Sequence, residues 1–334
     1  MTPPTKPPQA ILSELINAYW KTFSIVAAAE LGIADLIGDE PQAVSTLAEK
    51  SATHPPSLYR LLRALASLGI FVEDDAGRFA NTPLSATLRS GASGSLRGLA
   101  RLSGRMHLRA WPEILHSLRT GETAFHKVFG AELFDHVGRD AELARIFDEA
   151  FSGYTAAIGY AVVGAYDFSR FRLVVDVGGG SGALLAAIAD AAPDTRGINF
   201  DLPHVAARAE RALQHGERLR SLGGDFFEAV PVGGDAYTMK MILHDWNDAR
   251  SIVILKNVRR AIMPDGKLLV IEAVLPPGNA PSLGKLLDVN MLVMTGGRER
   301  TEEEFRALLA AGGFALERVV VAHPSASVIE ARPV

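Results

Sequence analysis

Apolar residues recur at three- and four-residue spacing from Ile11 to about Leu36, Leu12, Leu15, Ile16 and Tyr19 among them, which predicts a helical stretch with a thin polar face. A second helix is expected over Val44 to Lys50. A third is expected after Pro55 and Pro56, with Ser57 as its cap, one stripe made by Leu58, Leu61, Leu62, Leu65 and Leu68, and Gly69 as its end. Two short apolar runs, Ile70 to Glu73 and Arg78 to Ala80, then flank the turn Asp74-Asp75-Ala76-Gly77 and predict a small hairpin. Helix, helix, hairpin is the order of a winged helix.

Residues 91–165 again read as helical, broken at Thr120-Gly121 and ending in a long helix from about Asp140 that carries Phe147, Phe151 and Tyr154. From Leu173 the pattern changes to short apolar runs separated by helices: Leu173 to Val177, Gly197 to Phe200, Ala236 to Ile242, Lys267 to Val274, Leu316 to Val321 and Ser327 to Glu330. That alternation predicts an α/β sheet with mostly parallel strands. Thr301 and Glu304 make a capping box for a helix that turns Phe305, Leu308 and Leu309 inward and stops at Gly312. The connection from His323 to Ala326 is too short for a parallel crossover, so the last two strands are expected to form an antiparallel hairpin.

Three segments follow: a winged-helix domain over residues 1–100, a helical linker over 101–165 and a catalytic domain over 166–334. Composition narrows the classes of function. The 334 residues are 48% hydrophobic and 22% charged, the balance of a globular protein and not of a disordered one. A net charge of -4 gives no electrostatic footing for nucleic acid, and Glu73, Asp74 and Asp75 nearly cancel Arg60 and Arg63 on the winged helix. The absence of cysteine removes disulfides, thiolate metal sites and thiol nucleophiles. The Pro-rich start lacks the pattern of a secretory signal, and no apolar run approaches the ~20 residues of a membrane span, so a cytoplasmic location is expected.

Candidate chemistry begins at Val174-Val175-Asp176-Val177-Gly178-Gly179-Gly180-Ser181-Gly182, a buried strand feeding a glycine turn and the helix Ala183 to Ala191. Glycine there lets the backbone take positive φ and lets a ligand approach closely. Gly178, Gly180 and Ala183 also fit a dinucleotide fingerprint, which keeps a nicotinamide enzyme in competition. Asp201, closing the next strand, suits the ribose of either cofactor. Asp225, followed by Phe226, stands where a carboxylate takes an adenine amino proton and a ring covers the base. Three acids at consecutive strand ends, Asp176 included, favour a nucleoside ligand, and the antiparallel terminal hairpin suits a methyltransferase sheet better than a dehydrogenase one.

The segments VDVGGGSG, FDLPHV, GGDFFEAVP, LHDWND and GGRERT, in this order between Ile11 and Glu330, resemble the plant caffeic acid type of O-methyltransferase and its bacterial relatives in antibiotic and phenazine biosynthesis. The resemblance implies a Rossmann-like sheet that binds S-adenosylmethionine (SAM), with S-adenosylhomocysteine as product. It also implies an N-terminal winged-helix domain interlocked with its twin in a homodimer, and metal-independent methyl transfer to a hydroxyl of a small aromatic acceptor. It assigns Gly178, Asp201, Leu202, Asp225, Phe226 and Lys240 to the cofactor, His244 as base flanked by Glu272 and Glu299, and Trp111, Phe147, Phe151, Met241, Met291 and Met294 to the acceptor. Phe151 stands where the plant enzymes have methionine and Met241 where they have tryptophan, so the plant acceptor does not carry over. Some bacterial relatives have lost the paired glutamates and a few have drifted to hydroxylation; retention of Glu272 and Glu299 favours methyl transfer.

A phenol of pKa ~10 faces an unperturbed imidazole of ~6.5, a gap of ~3.5 units or ~5 kcal/mol, so the proton is expected to move to His244 as attack proceeds. A carboxylate from Glu272 or Glu299 on the second ring nitrogen would fix the tautomer and strengthen the base. No metal is expected: Asp245 is read as pointing elsewhere on an extended chain and Asp248 as the cap of the next helix. Trp246 is read as packing near the adenine edge. Three competitors remain: a SAM-binding relative with hydroxylase or decarboxylase activity, a winged-helix regulator sensing a small molecule, and a nicotinamide oxidoreductase.

Overall fold

The computed structural model describes residues 6–92, 94–213 and 215–334, the side chains of 152–157 and 212 excepted. The side chain of Tyr154 and the first five residues of the Pro-rich start lie outside what is described. The chain divides into two compact units, residues 1–108 with 145–153, and residues 109–144 with 154–334.

In the first unit the expected N-terminal helical stretch is three helices, Pro8–Ile16, Tyr19–Glu30 and Ile33–Ile37. Gly32 at φ 65° supplies the left-handed corner between the last two. Helices Val44–Lys50 and Pro55–Ser67 follow. The latter begins at Pro55 with His54 as cap, because proline has no N–H to leave unsatisfied at the first helical position; Ser57 instead sits inside the first turn. Of the expected leucine stripe, Leu58, Leu62 and Leu65 are buried, whereas Leu68 lies past the helix end and is exposed. Strands β1 (Gln42–Ala43), β2 (Phe71–Glu73) and β3 (Arg78–Asn81) form an antiparallel sheet in the order β1-β3-β2. The two-residue β1 is too short to leave an apolar pattern, so only the hairpin was legible. Phe71 and Phe79 close this core together with Ile33, Leu47 and Leu62.

The second unit is built on seven strands: β4 (Leu173–Val177), β5 (Arg196–Asp201), β6 (Leu219–Gly223), β7 (Ala236–Lys240), β8 (Lys267–Glu272), β9 (Phe314–His323) and β10 (Ala326–Pro333). Their order is β6-β5-β4-β7-β8-β10-β9, with β4 to β8 parallel and β10 antiparallel to both neighbours, the expected terminal hairpin. Edge strand β6 is missing from the apolar runs because Arg220 and Ser221 interrupt it. β7 stops two residues short of its expected end because Met241 turns to φ 55°. The capping box at Thr301 and Glu304 and the buried Phe305, Leu308 and Leu309 are as expected. Val177, Asp201, Lys240 and Glu272 therefore end parallel strands at one edge of the sheet, the carboxyl edge where open α/β sheets bind ligands.

Candidate active site

Beyond β7 the backbone passes through Met241 and Ile242 into a single 3-10 turn, Leu243–Asp245, that carries His244. A non-glycine residue at positive φ costs of order 1 kcal/mol or more and persists only where the surroundings over-determine it. They do so here: Met241 N–H donates to the Ile271 carbonyl at 3.1 Å, and Glu272 Oε1 accepts the N–H groups of both Ile242 and His244 at 3.1 Å. Glu272 thus clamps the turn and not the imidazole.

The ring is held by the other glutamate. His244 is 4% exposed, and its Nδ1 lies 2.7 Å from Glu299 Oε1. Glu299 is set by its own N–H, which donates to Asp288 Oδ1 at 2.9 Å. A carboxylate only accepts, so Nδ1 carries the proton and the lone pair of the neutral ring is on Nε2. Asp245 corrects the expectation: its Oδ1 is 3.7 Å from His244 Nε2, since the 3-10 turn brings successive side chains round one side where an extended chain would separate them. Asp248 is likewise one position inside its helix, whose cap is Asn247.

Charge in this cluster is unevenly compensated. Burial pulls the His244 pKa down, but Asp245, Glu299 and Glu272 together outweigh it and raise it to about 9. Burial also raises Glu272 to about 7 and Asp245 to about 6, against the opposing pull of His244. Glu272 Oε2 and Glu299 Oε2 are buried without a partner, which leaves negative potential directed into the site.

At the end of β4, Gly178 and Gly180 take φ of 69° and 57°. A side chain on Gly178 would collide with Ile242, whereas beside Gly180 the space is open. Asp201 Oδ2 accepts the Gly180 N–H at 2.8 Å and its Oδ1 the Leu202 N–H at 2.7 Å, so the acid at the end of β5 shapes the glycine turn. Buried Asp176 accepts from Thr238 Oγ1 at 2.6 Å, and its Oδ2, like Asn199 Oδ1, has no donor. Burial, moderated by Thr238 and Lys240, raises Asp176 to about 6. Lys240 is pulled below its ordinary value by burial, with Asp176 and Asp245 opposing. Asp225 Oδ1 accepts the Phe227 N–H at 2.8 Å, and Phe226 stands edge-on to Phe227. Unmet acceptors and open space at Gly180 fit a ligand's donors, and the uncapped N–H groups of the following helix fit an acceptor such as a carboxylate; SAM carries both, in its ribose and amino groups and in its carboxylate.

Helix Leu283–Met294 buries Met291 and Met294, and Asn290 on it accepts the Trp111 Nε1–H at 2.9 Å. Phe147 and Phe151 belong to the other compact unit, their ring centroids 4.7 Å apart. Trp246 packs edge-on against Phe227 with Arg250 over both rings, as its packing reading requires. Among the described residues no group of three or more His, Asp or Glu side chains is arranged to hold a metal ion, and no helix is long and apolar enough to cross a membrane.

Residues 111–315 match the family pattern of the O-methyltransferase domain, and residues 13–91 that of the O-methyltransferase dimerisation domain. The chain belongs to the O-methyltransferase family. A phenazine O-methyltransferase of Lysobacter antibioticus is 49% identical over 331 residues, covering 98% of this chain and 97% of that protein. The crystal structure of LaPhzM superposes with a TM-score of 0.96 at 49% identity, covering 98% of this chain and 100% of that one. Human N-acetylserotonin methyltransferase, solved with SAM, gives 0.91 at 29% identity, covering 100% and 99%. This protein is a SAM-dependent O-methyltransferase; the regulator, hydroxylase and nicotinamide readings find no support among these relatives.

Two groups of this O-methyltransferase's site were not singled out from the sequence. Asp245 was read away from the base. Arg300, fully buried, lies within GGRERT, but a motif letter does not reveal that its side chain turns inward.

Proposed function

We propose that this enzyme methylates a hydroxyl of a small aromatic acceptor, with His244 Nε2 taking the hydroxyl proton. The observation that carries the reading is the buried imidazole at the carboxyl edge of the sheet, its Nδ1 committed to Glu299 at 2.7 Å. When bound, SAM supplies a methyl group activated by a positively charged sulfur. Asp176, Gly178, Gly180, Asp201, Leu202, Asp225, Phe226 and Lys240 hold that cofactor. Asp201, at the end of β5, serves the ribose, Asp225 and Phe226 serve the adenine, and the buried Oε2 atoms of Glu272 and Glu299 favour the sulfonium's charge. Within the second unit, Trp111, Met241, Met291 and Met294 form apolar surroundings for the acceptor, methionine adapting to ring shape.

With His244 raised to about 9, its basicity comes close to that of a phenolate, whose conjugate acid has a pKa of ~10, and most of the gap faced by an unperturbed imidazole closes. Glu299 holds the tautomer and stabilises the imidazolium; Glu272 holds the turn. The aromatic acceptor is supported by relatives named for phenazine and N-acetylserotonin. Purified enzyme with methyl-labelled SAM and a panel of hydroxylated aromatics, phenazinols included, is expected to yield a product heavier by one methyl group. A product heavier by one oxygen, or no labelled product from any hydroxylated aromatic while S-adenosylhomocysteine binds, overturns the reading.

We also propose a homodimer through residues 1–100. Ile11, Leu12, Leu15, Ile16, Tyr19, Trp20 and Phe23 are between 47% and 67% exposed on the first two helices, a larger apolar surface than a soluble monomer tolerates, and the dimerisation pattern spans residues 13–91. Sedimentation is expected to give twice 35.7 kDa, and Leu15→Asp with Trp20→Glu to give monomer. A monomeric wild type at micromolar concentration would sink this proposal.

A further inference from the structure

Arg300 is the bulkiest of the fully buried side chains, and all five of its N–H donors are engaged. Nη1 donates to the carbonyls of Leu243 at 3.1 Å and Arg298 at 3.3 Å, and Nη2 to the carbonyl of Trp246 at 3.0 Å and to Asp248 Oδ1 at 2.7 Å. Nε donates to the same Asp248 oxygen at 3.1 Å. Three of these acceptors belong to residues 243, 246 and 248, which bracket the turn carrying His244. The backbone of the same segment grips the turn as well: Arg298 N–H donates to the His244 carbonyl at 2.9 Å. Arg300 is in turn fixed to the chain beyond β8, its carbonyl accepting the Leu275 N–H at 2.9 Å.

A single 3-10 turn has few internal hydrogen bonds to hold its shape, and this one follows a left-handed methionine. The Leu243 and Trp246 carbonyls also lie 3.3 and 3.4 Å from the Ser251 hydroxyl, but one rotatable hydroxyl shared between two acceptors orients neither, whereas a planar fork fixes several acceptors in one orientation as an ammonium does not. Reaction geometry is sensitive at this scale, since a displacement of ~1 Å can cost ~100-fold.

We propose that Arg300 is a positioning residue for methyl transfer, acting through His244 by locking the turn that aims Nε2 and touching neither substrate. This rests on the base assignment made above. Its positive charge also opposes the burial that raises Glu272, so its loss raises the protonation of the acidic cluster.

The test compares Arg300→Met, Arg300→Lys, His244→Ala and the double variant His244→Ala with Arg300→Lys, by steady-state kinetics across pH and by S-adenosylhomocysteine titration. Arg300→Met is expected to lower kcat at least ~10-fold, to leave the acceptor KM and S-adenosylhomocysteine Kd within ~3-fold, and to move the acidic limb of kcat/KM to higher pH. Arg300→Lys is expected to fall between it and wild type. On the His244→Ala background, Arg300→Lys is expected to cause no further loss, since there is no imidazole left to aim. Should Arg300→Met fail to fold, Arg300→Lys and its double variant carry the comparison. The proposal is overturned by unchanged kcat in folded Arg300→Lys and Arg300→Met, by equal losses with and without His244, or by weakening of S-adenosylhomocysteine binding in parallel with kcat. Unchanged turnover in His244→Ala would instead remove the base assignment itself, so the two failures are told apart.

Discussion

His244→Ala is expected to lower kcat for methyl transfer at least ~100-fold while S-adenosylhomocysteine binding stays within a few-fold, because general-base losses run from ~10² to ~10⁴. The site makes this more than a generic expectation. Glu299 commits Nδ1 at 2.7 Å, which leaves Nε2 as the only ring nitrogen able to accept a proton, and the ring is 4% exposed, so bulk water is a poor substitute. The glycine turn with Asp201 is built from other residues, and cofactor affinity is therefore expected to survive. Wild-type turnover in this variant with a confirmed acceptor removes His244 from the mechanism.

The pH profile has a definite sign. A base works deprotonated, and the carboxylates around His244 raise its pKa to about 9, so below that value the active form is lost as pH falls. Near neutral pH the ring of the free enzyme is therefore mostly protonated. The positive sulfur of bound SAM disfavours imidazolium and moves the midpoint down. The acceptor's kcat/KM is thus expected to rise with pH through a midpoint no higher than about 9, and the rising limb is expected to be absent in His244→Ala. The apparent midpoint belongs to the coupled cluster of His244, Asp245, Glu272 and Glu299 and not to the ring alone.

Gly297→Ala is expected to damage both stability and turnover. A Cβ at this position would stand 1.9 Å from the His244 carbonyl oxygen, 2.5 Å from the Asp245 carbonyl carbon and 2.7 Å from the Trp246 nitrogen. All three are backbone atoms, so no side chain can swing aside and the turn itself must move. Overpacking of this kind costs about 1 to 3 kcal/mol, lowering Tm by ~2 to 12 °C at ~2 to 4 °C per kcal/mol for a domain of this size. The movement falls on the residue that aims Nε2, so kcat is expected to drop ~100-fold. Gly164→Ala, in a helix with nothing within 4 Å of the added carbon, is the control expected to leave both unchanged or Tm slightly higher. Equal melting and turnover for Gly297→Ala and wild type would show that the two loops are not in contact as described.

Much of the fold was legible because the periods are local. The leucines of Pro55–Ser67, the Thr301 capping box and the short link into β10 each state their structure within a few residues. Errors came where a local pattern had two outcomes. Apolar spacing does not show that Gly32 breaks the N-terminal stretch, and Pro55 takes the first helical position, which moves the cap from Ser57 to His54. A strand end before Asp225 is expected, but the pattern sets no bounds for edge strand β6 because Arg220 and Ser221 interrupt its apolar run.

At the site the division follows the same reasoning. The chemistry available is written in the residue types: no thiol, one histidine at the end of a buried strand, acids at successive strand ends, a glycine turn before a helix, and five motifs whose order marks the family. Contacts between distant segments assign the roles. Glu299 rather than Glu272 holds the ring, Asp245 returns to Nε2, and Arg300 turns inward to tie the turn. These partners are separated by up to 57 residues along the chain. Their pairing depends on the direction each side chain takes once the strands are in register, and no periodicity in one segment records the direction of a side chain in another.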